Sequence, residues 1–226
     1  MLRSWPKRKN TTGPTNLDSK KRNMNQASSH DKPPEQRLSN REFLRSFFQD
    51  YKTVGAIRET SRGVARKICE LADVPSAARV AEFGCGTGPI TGEILAQLPE
   101  DGLLWGYEVH EPFAEHLRQT IDDERFHLYE ESATNIVEHR RDASLPPFDA
   151  VISTIPFSYL SHQQSTALLH AVIDTMSDDG VFVALQYHPT YLPPLLHRHF
   201  DSVTRDIYLW NVPPANLFKA TKPRRL

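Results

Sequence analysis

One stretch constrains the fold more than any other: Ala78-Arg79-Val80-Ala81-Glu82-Phe83-Gly84-Cys85-Gly86-Thr87-Gly88-Pro89-Ile90-Thr91-Gly92. Val80, Ala81 and Phe83 read as a short buried strand. Three glycines at alternate positions follow, and Ile90, Ile94, Leu95 and Leu98 then fall at helical spacing. A strand, a glycine turn and a helix bring main chain against a nucleotide-like ligand. The missing side chains permit close approach, and the first amides of the helix point at the ligand. Pro89 stands where G-x-G-x-x-G needs its last glycine, so a dinucleotide pyrophosphate site is disfavoured. An ordinary tight strand-to-helix turn would explain the glycines alone; the residues downstream argue against it. Cys85, inside the loop, reads as a small filler and not as a nucleophile.

Those downstream residues repeat the alternation of strand and helix. Gly102–Val109 is the second strand and carries Glu108, 24 residues after Gly84. A carboxylate there can accept two hydrogen bonds from vicinal ribose hydroxyls. A helix over Glu111–Ile121 leads to a third strand, Phe126–Tyr129, and the loop Glu130–Thr134. The fourth strand starts at Asp149 and leaves through Ile155-Pro156-Phe157. Ala167–Met176 is helical, and Asp178-Asp179-Gly180 turns into a fifth strand, Val181–Tyr187. After a Pro-rich stretch and Leu195–Phe200, residues 202–210 and 216–221 form two last strands around Val212-Pro213-Pro214. No internal repeat is present. The class is α/β: a Rossmann-like, seven-stranded, mostly parallel sheet with one antiparallel strand and helices on both faces.

Charge divides the chain. Residues 1–45 hold 11 Lys and Arg against 4 Asp and Glu, which leaves 16 against 24 in the remainder. Residues 1–38 are too polar to bury a core and read as a basic, disordered tail. A domain over 39–226 follows, with N-terminal helices over 39–76 and the core over 77–226. Ser39 or Asn40 is a plausible N-cap. Phe43, Leu44, Phe47, Phe48 and Tyr51 then share one helical face flanked by Arg41, Arg45 and Lys52. Such a helix can lie in a membrane interface or cap the sheet. No stretch approaches the ~18 apolar residues of a membrane span, and the N-terminus lacks the apolar run of a secretory signal. Two cysteines, Cys69 and Cys85, give neither a disulfide framework nor zinc spacing, so a reducing cytoplasm is expected and no metal.

The pattern E-F-G-C-G-T-G resembles motif I of the class I S-adenosylmethionine-dependent methyltransferases. Outside that core the chain looks like the bacterial phospholipid N-methyltransferases of the soluble type. The likeness rests on F-L-R-S-F-F and V-G-A-I-R-E-T-S-R before motif I, on S-T-I-P after the fourth strand, and on W-N-V-P-P-A-N-L-F near the C-terminus. It covers roughly residues 40–222, and the last motif is the most specific. The resemblance implies a cofactor site of Gly55, Ile57, Glu82, Gly84, Cys85, Gly86, Thr87, Gly88, Glu108, Ser132, Ala133 and Ser153. Ser132 takes the place of the acid that in many relatives contacts the adenine amine, with Glu131 one step away. Glu59-Thr60 for Pro-Ser and Ile155 for Leu are further departures.

The expected activity is methylation of a phospholipid headgroup amine, phosphatidylethanolamine towards phosphatidylcholine. The enzyme would act from the cytoplasm at the inner membrane, with an anionic surface held by residues 40–52 and the basic tail. The amine must lose a proton before attack. Tyr159, His162, Tyr187 and His188 lie after the fourth and fifth strands, and Tyr159 and His188, beside Pro156, are the candidate catalytic residues. An alternative is an adenine N6-dimethyltransferase acting on ribosomal RNA, whose N-(I/L/V)-P-(Y/F) motif faces T-I-P-F here. Thr154 lacks the amide carbonyl that would accept from a planar amine, and the acidic body opposes RNA. A silent methyltransferase-like binding module is the other alternative, disfavoured by intact Glu82, loop glycines and Glu108.

Overall fold

The computed structural model describes residues 60–211 and 213–225. The basic tail, the aromatic helix over 43–51, Gly55 and Ile57 lie outside the described residues. Seven strands form one sheet: β1 (Arg79–Phe83), β2 (Leu103–Tyr107), β3 (Phe126–Tyr129), β4 (Phe148–Ser153), β5 (Met176–Gln186), β6 (Phe200–Tyr208) and β7 (Ala215–Pro223). Their order is β3-β2-β1-β4-β5-β7-β6. β7 runs antiparallel to both β5 and β6, and the other pairs are parallel, so one antiparallel strand is inserted as expected.

Helices cover both faces: α1 (Arg62–Ala72), α2 (Pro89–Gln97), α3 (Glu111–Thr120), α4 (Ile136–Asp142), α5 (His162–Thr175) and α6 (Leu192–His199). Because both faces are covered, the central strands are near-continuous apolar runs. Val80, Leu104, Ile152 and Val183 pack with Val64 and Ile68 of α1 and Ile94 of α2. Ala81, Phe83, Val151 and Phe182 pack on the other face with Leu169 and Val172 of α5 and Leu196 of α6. The strand starts are tied together as well. Asp149 accepts from the Ala78 and Arg79 amides at 2.9 and 2.8 Å, which aligns β4 with β1. Arg125 donates to the carbonyls of Leu95 and Leu98, both at 2.8 Å, and so closes the C-terminal end of α2.

Three elements differ from the sequence expectation. α4 lies in a stretch, residues 136–142, to which the sequence assigns no element; it is short and buries only Ile136, so it carries too little periodicity to be read. α5 starts at His162, five residues earlier than expected. Ser161 accepts from the Gln164 amide while the Gln164 side chain accepts from the Ser161 amide, a capping box that fixes the start. Asp178-Asp179-Gly180 lies within β5 and not before it. Phe148 pairs with Met176 and Ala150 with Val181, so the register shifts across residues 177–180.

β1 is flanked by β2 on one side and β4 on the other, and the loops after β1 and β4 leave in opposite directions. That switch point opens a crevice at the carboxyl edge of the sheet. The α5 cap lies next to the β4 exit, so Ser161→Ala should cost about 1 kcal/mol of stability. Urea denaturation measures it, and an unchanged midpoint at unchanged slope would refute the assignment.

Candidate functional site

The crevice holds a cavity of about 470 Å³. One half is bounded by Gly84–Thr87, Glu108, Val109, Phe113 and Glu131–Thr134, and the other by Thr154–Pro156, Tyr159, Leu160, Leu168 and Gln186–His188. Of the residues singled out in the sequence, Gly84, Cys85, Gly86, Thr87, Glu108, Ser132, Ala133, Pro156, Tyr159 and His188 line it. Glu82 and Ser153 are fully buried behind the lining, and Gly88 caps α2 outside it. His162 is the exposed first residue of α5 and does not reach the cavity.

The turn is built from left-handed backbone. Gly84, Gly86 and Gly88 have φ of 82°, 57° and 90°. A Cβ on Gly84 would stand 3.0 Å from Thr154 Oγ1, while one on Gly86 would meet nothing and project into open space. Gly86 is therefore where main chain and ligand can touch. Glu108 fixes this shape. Its Oε2 accepts from the Gly86 amide and its Oε1 from the His110 amide, both at 2.8 Å. A carboxylate offers about four lone pairs, so lone pairs remain on both oxygens for a vicinal diol. Burial pushes the Glu108 carboxyl above its ordinary range, against the pull of the His110, Gly86 and Val109 amides.

Glu82 is the second carboxylate of the turn. Its Oε2 accepts from the Thr91 hydroxyl at 2.7 Å, and its Oε1 is buried with no hydrogen-bond partner among the described residues. Burial raises its pKa to about 7. An orphaned carboxylate oxygen beneath the turn and a diol acceptor beside it fit a nucleoside that carries positive charge. Cys85 turns its thiol inward against Gly106, and burial holds that thiol well above the usual range, which agrees with a filler. Ser132 spends its hydroxyl on Thr134 at 2.8 Å and caps a short turn. The neighbouring Glu131 accepts from Asn135 at 2.7 Å at the cavity wall.

The second half is held from behind by a residue the sequence reading passed over. Gln186, 3% exposed, accepts from the Phe157 amide at 3.0 Å and donates to the Ile155 carbonyl at 2.8 Å. It thereby clamps both sides of Pro156. Asn216 of β7 donates to the carbonyls of Gln186 and Tyr187, and Arg205 of β6 donates to Asn216. Asn211 donates towards the Tyr187 hydroxyl at 3.5 Å. Burial raises the Tyr187 phenol while Asn211 pulls it down. The available signal was a polar residue closing the apolar run Val181-Phe182-Val183-Ala184-Leu185.

The Glu82 carboxyl gives a stability prediction with a definite sign. Its folded pKa lies above the unfolded value, so between about pH 4.5 and 7 the folded chain binds more protons. Its contribution is therefore most favourable below that window and is lost as pH rises through it. Without ligand, Glu82→Gln should gain on the parent by about 2 kcal/mol between pH 5 and 8. Parallel denaturation curves at the two pH values test this, and a pH-independent difference would exclude it.

Residues 81–182 match the sequence family described as a methyltransferase domain. The ornithine lipid N-methyltransferase of Singulisphaera acidiphila is 24% identical over 177 residues, spanning 78% of this chain and 92% of that protein. The fold is similar to that of the N-methyltransferase NodS of Bradyrhizobium japonicum WM9, with a TM-score of 0.59 at 12% identity over 72% of this chain and 96% of that one. It is also similar to that of magnesium protoporphyrin IX methyltransferase (ChlM) of Synechocystis PCC 6803 with bound SAM. There the TM-score is 0.60 at 12% identity, over 84% of this chain and all (100%) of the other. Over residues 81–182 the chain is similar to a methyltransferase domain, its sheet has the fold of class I S-adenosylmethionine-dependent methyltransferases, and along most of its length it resembles a bacterial lipid N-methyltransferase.

Proposed function

We propose that the enzyme methylates the headgroup amine of a membrane lipid, with phosphatidylethanolamine as the expected acceptor. The ornithine lipid handled by the Singulisphaera relative is the second candidate. Both offer a primary alkyl amine a few atoms from an anion. The observation that carries this reading is the loop after β4, which carries no side-chain amide and directs its own polar groups back into the protein. Thr154 donates its hydroxyl to the Gly84 carbonyl at 2.5 Å, the Ile155 carbonyl is held by Gln186, and the Pro156 carbonyl by the Tyr159 amide. A planar purine amine finds no side-chain amide acceptor on that loop. An alkyl amine meets instead the side chains of Tyr159, Tyr187 and His188, beside an apolar wall that includes Leu160 and Leu168. This wall and the relative support the lipid over RNA.

When bound, S-adenosylmethionine supplies an electrophilic methyl on a sulfonium. Gly86 and Glu108 would hold the nucleoside, and Gln186 sets the position of Pro156 in the cavity lining. Alignment of this kind supplies most of what an in-line displacement needs. Raised by burial, Tyr187 stays a neutral hydroxyl at physiological pH and can orient the amine. His188 or Tyr159 passes the released proton to solvent, since both are exposed at the cavity edge. Residues 40–52 and the basic tail, on this reading, hold the enzyme at an anionic bilayer from the cytoplasm. No helix among the described residues is long and apolar enough to cross one.

Incubation with labelled S-adenosylmethionine and vesicles of either lipid should yield mono-, di- and trimethylated lipid. Label in RNA but not in lipid would reverse the ranking. Gly86→Ala, which forces a side chain into a left-handed site costing about 1 kcal/mol and into ligand space, should weaken cofactor binding at least about tenfold by calorimetry. Gln186→Leu should lower turnover by about tenfold while cofactor affinity stays within about twofold. Equal losses in both would show that Gln186 supports the whole crevice and not the acceptor side.

A further inference from the structure

The large apolar side chains exposed among the described residues are not scattered. They are Val109, Tyr159, Ile207, Leu209 and Trp210, at 39%, 47%, 51%, 71% and 89% exposure. Val109 follows β2 and Tyr159 follows β4, and both line the cavity. β6 runs parallel to β5, because each is antiparallel to β7. Ile207 near its carboxyl end, and Leu209 and Trp210 just beyond, therefore lie at the same edge of the sheet. Asn211 ties the tip to this edge through the Tyr187 hydroxyl in the cavity wall.

Single exposed apolar residues are ordinary, but five gathered at the one sheet edge that holds the cavity, two of them in its lining, are not. From this arrangement we infer that the β6–β7 hairpin tip, led by Leu209 and Trp210, seats in the headgroup–acyl boundary of a lipid bilayer and sets the cavity mouth on it. The inference rests on the lipid reading above and names the surface that would meet the bilayer. Three further features suit that occupant. Tryptophan favours the interface, where its ring is apolar and its N–H wet. Pro213 and Pro214 carry no backbone N–H, which removes two donors that would otherwise need partners away from water. Exposed Arg62 flanks the hairpin, since the adjacent Gly63 packs against the Tyr208 ring, and it offers a cation to anionic headgroups.

The test uses the full chain with Trp5→Phe, so that emission comes from Trp210 and from Trp105, which is 4% exposed. Vesicles of phosphatidylcholine and phosphatidylglycerol should shift the emission to the blue and shield it from acrylamide. The pair Leu209→Ser and Trp210→Ser should weaken vesicle partition about tenfold or more. It should slow methylation of vesicle lipid while leaving methylation of a short-chain, monomeric lipid amine within about twofold. Trp210 already shielded before vesicles are added would mean that another part of the chain, or a second copy, covers it, and would overturn the inference. Methylated lipid with undiminished partition of the double variant would overturn it too, leaving the lipid reading intact. Partition that depends on both residues without any lipid methylation would support the docking surface and sink the lipid reading.

Discussion

Everything at the carboxyl edge depends on how the backbone of one turn is held. The loop after β1 satisfies only part of its polar backbone within itself, the Gly88 amide donating to the Cys85 carbonyl at 3.0 Å. Neighbouring strands supply the partners. Glu108 after β2 takes the Gly86 amide, Thr154 after β4 gives its hydroxyl to the Gly84 carbonyl, and the Gly84 amide reaches the Tyr107 carbonyl at 2.8 Å. The turn is thus stapled from both sides of the switch point, and its shape is set before any ligand arrives. Preorganised main chain of this kind costs nothing to reorder on binding.

The same turn concentrates negative charge. Glu82 lies beneath it and Glu108 beside it, both desolvated, and the Glu108 charge adds to the rise that burial imposes on the Glu82 carboxyl. A cofactor bearing a sulfonium and an ammonium relieves that repulsion. Two desolvated carboxyls at the turn favour a positively charged nucleoside over a neutral one.

The cofactor half was legible because its determinants are local. Glu82 to Gly88 is one string, and Glu108 follows at a strand end that an apolar run announces. Ser161 and Gln164 also form a local signal, a capping box, which went unread because the helix was sought by its buried face alone. The acceptor half was legible only as a list of types. Tyr159 and His188 could be placed at the right edge, but Gln186, Asn211 and Asn216 act across strand pairings that no short window contains. Gln186 lies 29 residues from the Phe157 amide it accepts from. α4 escaped for another reason: with one buried residue in seven it owes its helicity to packing and not to pattern.

The insertion of β7 between β5 and β6 has a consequence in time. β1 to β4, with the glycine turn and Glu108, are all made by the time the ribosome passes residue 153. The edge of β5 that carries Gln186 gains its neighbour only once residues 215–223 emerge, and the carbonyls of Gln186 and Tyr187 wait for Asn216 until then. The residues of the glycine turn and Glu108 are thus made well before the wall facing an acceptor can be completed. The two halves of the reaction are separated in the order of synthesis as well as in space.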